Sequence, residues 1–304
     1  MNELGLGIDA GGTQTRWALA NAAGEMVAEG SVAGMSALQL NSTGGRDAVR
    51  GIFALLAMQV LEAAALAGGK PVRACAGLTG FDGVSELPAQ WLAEVLKIAP
   101  SAIALRNDVE IAYLDNFAPG EGYLVYAGTG SIAAWIAEDG EFHRAGGRGV
   151  TLDDGGGGFW IAREAMRHIW RLEDERPGSW QQSPMARAVF EHIGGSDWAL
   201  SRQFMYGQDR GAVGRLALAV AASADADPVA RGILERGGRE LARIALVLVG
   251  RYGPRPIALG GRAAALHPLI AQAMRAALPA TLSLIQRETH AHHAAARIAL
   301  KSFN

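Results

Sequence analysis

Two short segments rich in glycine and threonine carry residue types that could bind phosphate. The first runs from Asp9 to Thr15 (Asp-Ala-Gly-Gly-Thr-Gln-Thr) and the second from Gly128 to Ser131 (Gly-Thr-Gly-Ser). Glycines at a turn let backbone N–H groups point at an anion, and threonine hydroxyls add donors. Asp9 is placed to hold Mg²⁺ through water, because Mg²⁺ keeps much of its hydration. An ordinary glycine hairpin is the alternative for either segment alone, but the pair is more specific.

Asp108 lies where a predicted strand ends and a helix begins, in the sequence Arg106-Asn107-Asp108. Open α/β sheets bind ligands at the carboxyl ends of parallel strands, so a carboxylate there could act on a substrate. Asn107 or Asp108 could instead cap the helix, which would stabilise it by about 1 kcal/mol. Taken locally, the sequence favours the cap.

The segment from Gly146 to Gly158 ends in four consecutive glycines. Such a run costs backbone entropy on folding, and it indicates that the backbone passes close to a ligand. A flexible linker is the alternative, but the apolar flanks at Val150, Leu152 and Phe159-Trp160 argue against it.

A further pair of glycines, Gly260 and Gly261, follows a predicted strand and precedes a predicted helix at 263–277. The N-terminus of a helix in that position could receive a phosphate or a flat base. The pattern is weak in isolation.

Three histidines near the C-terminus, His290, His292 and His293, resemble a metal-binding cluster. No acidic residue or cysteine lies beside them in the sequence to complete a ligand set. The preferred interpretation is the polar face of a surface helix.

Composition argues against several classes of function. The net charge is −2 and there is no long basic run, so neither nucleic acid nor a membrane surface is an expected partner. The single Cys75 excludes a disulfide framework and a cysteine-bound cluster. We see no signal peptide, and the most apolar run, Leu241 to Val249, is too short to cross a bilayer. We therefore expect a soluble, cytoplasmic protein.

Strands and helices alternate along the chain, which predicts parallel pairing with crossover connections. The first part has predicted strands at 4–9, 15–20, 25–31, 72–78 and 102–105, and helices at 45–67, 85–98 and 109–117. After Pro119-Gly120 the pattern of three strands recurs at 123–127, 132–137 and 141–145, followed by a mostly helical stretch at 158–250 and a strand at 256–259. The recurrence indicates a duplicated core.

Together, these segments resemble the N-acetylglucosamine/glucosamine kinase branch of the actin–hexokinase–Hsp70 superfamily, also called the BadF/BadG/BcrA/BcrD ATPase group. The order of the segments carries the resemblance over nearly the whole chain: 9–15, Asp108, 128–131, 146–158 and 256–261. The resemblance implies an α/β fold of two RNase H-like (actin/hexokinase-type) domains, with ATP and sugar in an interdomain cleft. The domains would be 1–118 plus 289–304, and 119–288 with a helical insertion.

The resemblance also implies roles for single residues. Asp108 would be the general base that takes a proton from the sugar hydroxyl. The nucleotide would contact the residues of the two turns and of the later glycine pair: Gly11, Gly12, Thr13, Thr15, Gly128, Thr129, Gly130, Gly260 and Gly261. The sugar would contact Thr79, Gly80, Asn107, Asp108, Gly147 and Asp154.

The expected activity is ATP- and Mg²⁺-dependent transfer of the γ-phosphoryl group to the 6-hydroxyl of N-acetylglucosamine or glucosamine. A non-catalytic ATP- or sugar-binding sensor of the same fold is the alternative. An iron–sulfur ATPase of the same superfamily is disfavoured because Cys75 is the only cysteine. Animal N-acetylglucosamine kinases differ from this chain at Ile132 and Arg148, and its Gly-Gly-Arg is more similar to bacterial glucosamine kinases. The usual Asp-Glu-Gly-Ser of the family is Asp154-Gly155-Gly156-Gly157 here. The choice between the two amino sugars therefore stays open, as does a homodimer.

Overall fold

The computed structural model describes residues 2–81, 83 and 86–301. The chain divides into two compact units, with boundaries between Ala118 and Pro119 and between Glu288 and Thr289. Ser85, with which the predicted helix at 85–98 begins, lies outside the described residues, as do the last three residues of the predicted segment 289–304.

The first unit is built on a sheet with the strand order β3-β2-β1-β4-β5. Its elements are β1 (Asn2–Ala10), β2 (Gln14–Ala20), β3 (Met26–Ala33), α1 (Thr43–Leu66), β4 (Gly69–Leu78), α2 (Leu87–Leu96), β5 (Ile103–Asn107), α3 (Asp108–Asn116) and α11 (Ala291–Ala299). β1, β2 and β3 are antiparallel neighbours, whereas β1, β4 and β5 run parallel. The carboxyl ends of β1, β4 and β5 therefore lie at one edge of the sheet.

Alternation along β1 determines what covers each face of this sheet. Leu4, Leu6 and Ile8 are fully buried in a core that includes the apolar face of α1. Gly5 and Gly7 face the other way, where a Cβ would collide with the backbone of α11. Successive strand residues point to opposite faces, so the Leu-Gly-Leu-Gly pattern produces both contacts.

The second unit repeats this design with the order β10-β9-β6-β7-β8. Its strands are β6 (Tyr123–Ala127), β7 (Ser131–Ile136), β8 (Phe142–Gly146), β9 (Ile257–Gly260) and β10 (Leu284–Gln286). Its helices are α4 (Gly158–Glu175), α5 (Pro184–Ile193), α6 (Trp198–Gly207), α7 (Arg210–Gly214), α8 (Leu216–Ser223), α9 (Pro228–Tyr252) and α10 (Pro268–Ala277). β6, β7 and β8 are antiparallel neighbours, and β9 runs parallel to β6 and β10.

The two sheets have the same strand order and the same pattern of parallel and antiparallel pairs when β1–β5 are matched to β6–β10. The duplicated core that the sequence indicates is thus present at the level of topology. This arrangement confirms the predicted α/β fold of two RNase H-like domains.

Two predictions after Gly261 are corrected by the structure. The helix begins at Pro268 and not at 263, because the residues after Gly261 form turns in which Ala263 N donates to Ala127 O at 2.8 Å. The short strand β10 was missed, because its three residues are partly or fully exposed and carry no buried apolar pattern. No helix N-terminus therefore follows Gly261 directly, so the predicted helix start at 263 is wrong, whereas the ligand contact of Gly260 and Gly261 stays a prediction.

Helix α1 is long and apolar enough, by length and composition, to cross a membrane. Its 18-residue window of high hydropathy is twice as long as the nine-residue run at 241–249 that the sequence analysis singled out. Val49, Phe53, Leu56 and Val60 lie at helical spacing and are buried in the core of the first unit. The burial of this face is typical of a core helix, and the same helix also exposes Leu55, Met58 and Leu66.

Candidate functional site

The turn between β1 and β2 is exposed and offers two adjacent backbone donors. Gly12 and Thr13 are exposed, and no described residue accepts a hydrogen bond from their N–H groups. The turn is closed by Gly11 N donating to Gln14 O at 3.1 Å, and Met35 N donates to Gly11 O at 3.0 Å. Consecutive N–H groups without an acceptor among the described residues can form the kind of concave donor site that binds phosphate oxygens.

Asp9 and Thr15 flank this turn but differ in accessibility. Asp9 is half-buried near the end of β1, in register with Arg16 of β2 and Gly77 of β4. Thr15 is fully buried, and its Oγ1 has no hydrogen-bond partner in the described part of the chain. The hydroxyl of Thr15 is therefore not at the exposed side of the turn, where the sequence prediction had placed it.

Asp108 is the first residue of α3, directly after β5, and it does not serve as the helix cap. The cap is Asn107, whose Oδ1 accepts from Val109 N at 3.0 Å while Glu110 reaches back toward Asn107 N. The Asp108 carboxylate is instead held on both oxygens. Thr79 Oγ1 donates to Oδ2 at 2.6 Å, and Val109 N donates to Oδ1 at 3.0 Å. The local preference for a cap is thus satisfied by Asn107, which leaves Asp108 for another role.

Thr79 connects this carboxylate to the end of the neighbouring strand. Its N–H donates to Ala10 O at 3.0 Å, one residue before the first glycine of the turn, and its carbonyl accepts from Ala37 N at 2.9 Å. Gly80 follows with a φ of +76°, and a Cβ there would lie 3.0 Å from the Leu38 side chain. The described positions of Thr79, Gly80, Asn107 and Asp108 therefore form one cluster at the carboxyl edge of the sheet.

Burial changes the acidity of Asp108. Desolvation raises the pKa of its carboxyl above the ordinary aspartate value. The hydrogen bonds from Thr79 and from the backbone N–H groups of Val109 and Asp108 favour the charged form, but they offset only part of that shift. A carboxylate with a raised pKa is a better proton acceptor than an exposed one.

The turn between β6 and β7 occupies the equivalent place in the second unit. Gly128 N donates to Gly130 O at 2.9 Å, and no described residue accepts from the N–H groups of Thr129 and Gly130. The start of α4 supports the turn, because Gly158 N donates to Gly128 O at 2.8 Å and Phe159 N donates to Thr129 O at 3.0 Å. This unit therefore also presents two adjacent donors on a turn.

Asp154 packs against this second turn in an unusual backbone conformation. It is 7% exposed, has a φ of +55°, and accepts a hydrogen bond from Gly149 N at 3.1 Å on Oδ1. A Cβ on Gly130 would collide with its Oδ2. Desolvation raises the pKa of the Asp154 carboxyl, against the opposing effect of the Gly149 and Arg148 amides.

The four glycines after Asp154 are buried against the protein itself. A Cβ on Gly155 would meet the side chain of Glu240 at 2.8 Å, and one on Gly156 would meet Gly237 O at 2.6 Å. Gly157 lies under the turn, where a Cβ would be 2.7 Å from the backbone of Gly130. The flexible-linker alternative is wrong, and within the described chain the close approach that requires these glycines is to α9 and to the turn.

Close contacts with the ends of β6 and β7 also position the other predicted site residues of the second unit, which are Gly147, Gly260 and Gly261. Gly147 has a φ of +61°, and a Cβ there would lie 2.7 Å from Ile132. Gly261 has a φ of +96°, and its close neighbour is the carbonyl of Ala127 at the end of β6. Gly260 ends β9 in register with Tyr126. Gly261 and Gly147 thus lie beside the two ends of the turn.

Sequence reasoning missed the network that holds the loop before the glycine run. Arg243 of α9 donates to Asp153 Oδ2 at 2.9 Å and to Glu240 Oε2 at 2.7 Å. Ser131 Oγ donates to Gly155 O at 2.7 Å. Arg243 and Asp153 are 90 positions apart, so no local sequence signal could have paired them.

The chain belongs to the BadF/BadG/BcrA/BcrD ATPase family, whose model matches residues 6–279. The family identified from the order of motifs is thus confirmed. The match includes both turns, Asp108, the glycine run and Gly260-Gly261.

The individual relatives have low sequence identity to this chain. An N-acetyl-D-glucosamine kinase of Dictyostelium discoideum is 26% identical over 180 residues, which are 57% of this chain and 56% of that protein. The match thus spans little more than half the length of that relative.

The solved structures that match over almost the full length include two proposed N-acetylglucosamine kinases. A proposed N-acetylglucosamine kinase of Chromobacterium violaceum is 25% identical, with a TM-score of 0.71 over 97% of this chain and 98% of that one. A second proposed N-acetylglucosamine kinase, from Porphyromonas gingivalis, is 16% identical, with a TM-score of 0.75 over 98% and 99% of the two chains. The latter supports the fold alone.

Proposed function

We propose that this protein is an ATP-dependent kinase that transfers the γ-phosphoryl group to the 6-hydroxyl of an amino sugar, N-acetylglucosamine or glucosamine. The observation that carries the proposal is that each unit presents a turn with two adjacent N–H groups that donate to no described residue, at Gly12-Thr13 and Thr129-Gly130. Such donors suit phosphate oxygens. Membership of an ATPase family supports ATP as the phosphate donor.

The turns supply the proposed nucleotide contacts. Backbone N–H groups and the Thr13 and Thr129 hydroxyls would bind phosphate oxygens, with contributions from Gly11, Gly128 and Gly130. Gly260 and Gly261 would face the adenosine. Thr15 would contribute at most through its backbone, because its side chain is fully buried. The half-buried carboxylate of Asp9 is a hard oxygen ligand that suits Mg²⁺, which would neutralise charge on the phosphates.

Asp108 is the proposed general base. The sugar hydroxyl would give its proton to the carboxylate as its oxygen bonds to the γ-phosphorus, while the bond from phosphorus to the β-phosphate oxygen breaks and ADP leaves. The fixed hydrogen bonds from Thr79 and Val109 hold the carboxylate in one orientation. Its raised pKa favours uptake of that proton.

Residues near the two buried carboxylates would hold the sugar. Thr79 donates its hydroxyl hydrogen to Asp108, so its oxygen lone pairs remain to accept from a sugar hydroxyl. Asn107 already accepts from Val109 N and donates to Phe81 O, so any sugar contact would share its amide group. We propose Gly80, Gly147 and Asp154 as further contacts, with the carboxylate of Asp154 accepting from sugar hydroxyls.

The kinase relatives point to a 2-amino-2-deoxy sugar as the acceptor. Sites that hydrogen-bond a substituent reject analogues that lack it far more strongly than sites that only enclose it. We therefore expect N-acetylglucosamine or glucosamine to be used well and glucose poorly.

The deciding experiment is a panel of sugars incubated with ATP and Mg²⁺, with ADP release as the readout and the position of the new phosphate read by NMR. The panel contains N-acetylglucosamine, glucosamine and glucose, and the 6-deoxy form of the best substrate serves as the control. Equal kcat/KM for glucose and both amino sugars would contradict the amino-sugar assignment but not the kinase. No sugar-dependent ADP release would contradict the kinase and favour the sensor alternative.

Two further proposals concern the cellular location and the oligomeric state of the protein. Because ATP is an intracellular substrate, we propose a cytoplasmic protein, which cell fractionation can check. A homodimer would be detected by light scattering of the purified chain.

A further inference from the structure

The first unit contains a cluster of metal-ligand side chains that the proposed kinase does not use. Glu29 of β3 meets His292 and His293 in the first turn of α11, and the potential ligand atoms of the three side chains lie within 4.8 Å of one another. The sequence analysis attributed the histidines to a surface helix because no acidic residue lies beside them in the sequence. The fold supplies that residue from 264 positions away.

The geometry brings one nitrogen of each imidazole to the same carboxylate oxygen. His293 Nε2 is 2.6 Å from Glu29 Oε2, and His292 Nε2 is 3.8 Å from it. The two imidazole rings are 4.2 Å apart at their centroids. Small side-chain rotations would place three ligand atoms around one ion at the distance of about 2 Å that Zn²⁺ requires.

The burial of His292 determines which of its nitrogens can bind an ion. The residue is 6% exposed. Its Nδ1 is buried without a partner among the described residues, so Nε2, which faces Glu29, is the nitrogen that can meet an ion.

Other groups around the cluster also matter for an ion. The positive charge of Arg16 acts on His292 and would oppose a cation, whereas the Glu29 carboxylate attracts one. The ring of His290 stacks on His293 with centroids 5.2 Å apart and borders the same space.

We propose that Glu29, His292 and His293 form a binding site for a divalent transition-metal ion of the zinc class, which joins the C-terminal helix α11 to strand β3. Two imidazoles and one carboxylate form a ligand set that zinc accepts, with a further position left for water. Imidazole selects such ions over Mg²⁺, which prefers oxygen ligands. Binding would replace the hydrogen bond between His293 Nε2 and Glu29 Oε2, which are 2.6 Å apart, and the imidazole proton of His293 would then reside on Nδ1.

The position suggests what a bound ion would do. Helix α11 packs on the glycine face of β1, and its start is anchored by His290 N, which donates to Asp115 Oδ2 at 2.8 Å. An ion between α11 and β3 would add a second anchor on the other side of the helix start. Because the ion would bind the folded state, it would raise the stability of the first unit.

The test uses the full chain with any histidine tag removed, since a tag binds the same ions. Thermal unfolding and titration calorimetry are run with ZnCl₂ and, separately, with MgCl₂, both without nucleotide. The variants are Glu29→Gln and His293→Asn, and the matched control is His192→Asn, which removes an exposed histidine of α5. Co²⁺ replaces Zn²⁺ in a parallel titration, and its visible absorption reports the coordination.

We expect Zn²⁺ to bind the parent and the control equally and to raise the Tm of both, whereas Mg²⁺ does not raise it through this site. Either cluster variant should weaken Zn²⁺ binding by at least about 10-fold, the loss that even outer-shell partners of a metal cause. Equal Zn²⁺ affinity in the parent and in Glu29→Gln would overturn the proposal, as would a parent that binds no Zn²⁺. Glu29 is largely exposed, so Glu29→Gln should fold and can decide the matter even if His293→Asn does not.

Discussion

The two strand-connecting turns share a sequence pattern and a topological position, but their glycines have different neighbours. A Cβ on Gly12 of the first turn would meet nothing within 4 Å. A Cβ on Gly130 of the second turn would collide with the buried carboxylate of Asp154. Glycine is therefore required by packing in the second turn and is free of packing constraints at Gly12 in the first.

The carboxylates of the two units differ in the same way. Asp108 accepts hydrogen bonds from Thr79 and Val109, and the glycines of the β1–β2 turn do not pack against it. Asp154, in contrast, packs against Gly130 of the β6–β7 turn and accepts a hydrogen bond from Gly149. The same sequence motif is therefore subject to different packing constraints in the two units. In the first unit Gly12 has no packing neighbour, whereas in the second unit Gly130 and Asp154 pack together and hold the loop.

The largest effect should follow from Asp108→Asn. Loss of the proposed proton acceptor should lower kcat by about 10²- to 10⁴-fold, the usual contribution of general base catalysis, while the protein stays folded. The measurement is ADP release with the best amino sugar, together with ATP binding by calorimetry.

Glu110→Gln is the matched control, because it removes a charge from the same helix and glutamine can still complete the capping arrangement. Its activity should stay within a few-fold of the parent. If Asp108→Asn were as active as this control, Asp108 would have no role beyond the start of α3.

A pair of identical substitutions tests the comparison of the turns directly. Gly130→Ala should lower the free energy of unfolding by about 1–3 kcal/mol, because the methyl group must displace Asp154 from its hydrogen bond with Gly149. Gly12→Ala should leave that free energy within about 0.5 kcal/mol. It should instead raise the KM for ATP, because its methyl group lies beside the two available N–H groups. Urea unfolding and ATP-dependent kinetics measure the two effects.

Equal loss of stability in the two variants would mean that the turns are constrained alike, and the contrast drawn from their neighbours would fail. An unchanged KM for ATP in Gly12→Ala, with unchanged stability, would remove the first turn from the nucleotide site.

The fold elements and site residues that could be predicted from the sequence are those that form a local sequence pattern. The turns, the strand repeat and the carboxylate after β5 each lie within a short segment, and all were predicted. The packing of Gly155 and Gly156 against α9, and of His292 against Glu29, joins residues far apart in the chain. The glycine run was therefore attributed to a ligand and the histidines to a solvent-exposed face, because sequence shows the residue type but not its distant neighbour.

The smallest expected effect concerns the pH dependence of stability, to which a buried aspartate in each unit contributes. Burial raises the pKa of both Asp108 and Asp154, so the folded protein binds protons more readily at these groups than the unfolded chain does. The stability that each group contributes is fully present below the unfolded pKa of about 4, and it is lost as pH rises through the higher folded pKa.

Asp108→Asn should therefore raise the Tm near neutral pH, where the parent must bury a charge, and the difference from the parent should shrink as the pH falls toward about 4. Thermal unfolding of both proteins across this range measures the change, with Glu62→Gln, at an exposed position of α1, as the control that should follow the parent. Asp154→Asn should show the same sign, since asparagine also tolerates the positive φ of that residue. If Asp108→Asn instead lowered the Tm at neutral pH and not at acidic pH, the charged carboxylate would be stabilising in the folded state. The hydrogen bonds from Thr79 and Val109 would then outweigh the desolvation of Asp108, and its pKa would lie below the ordinary value.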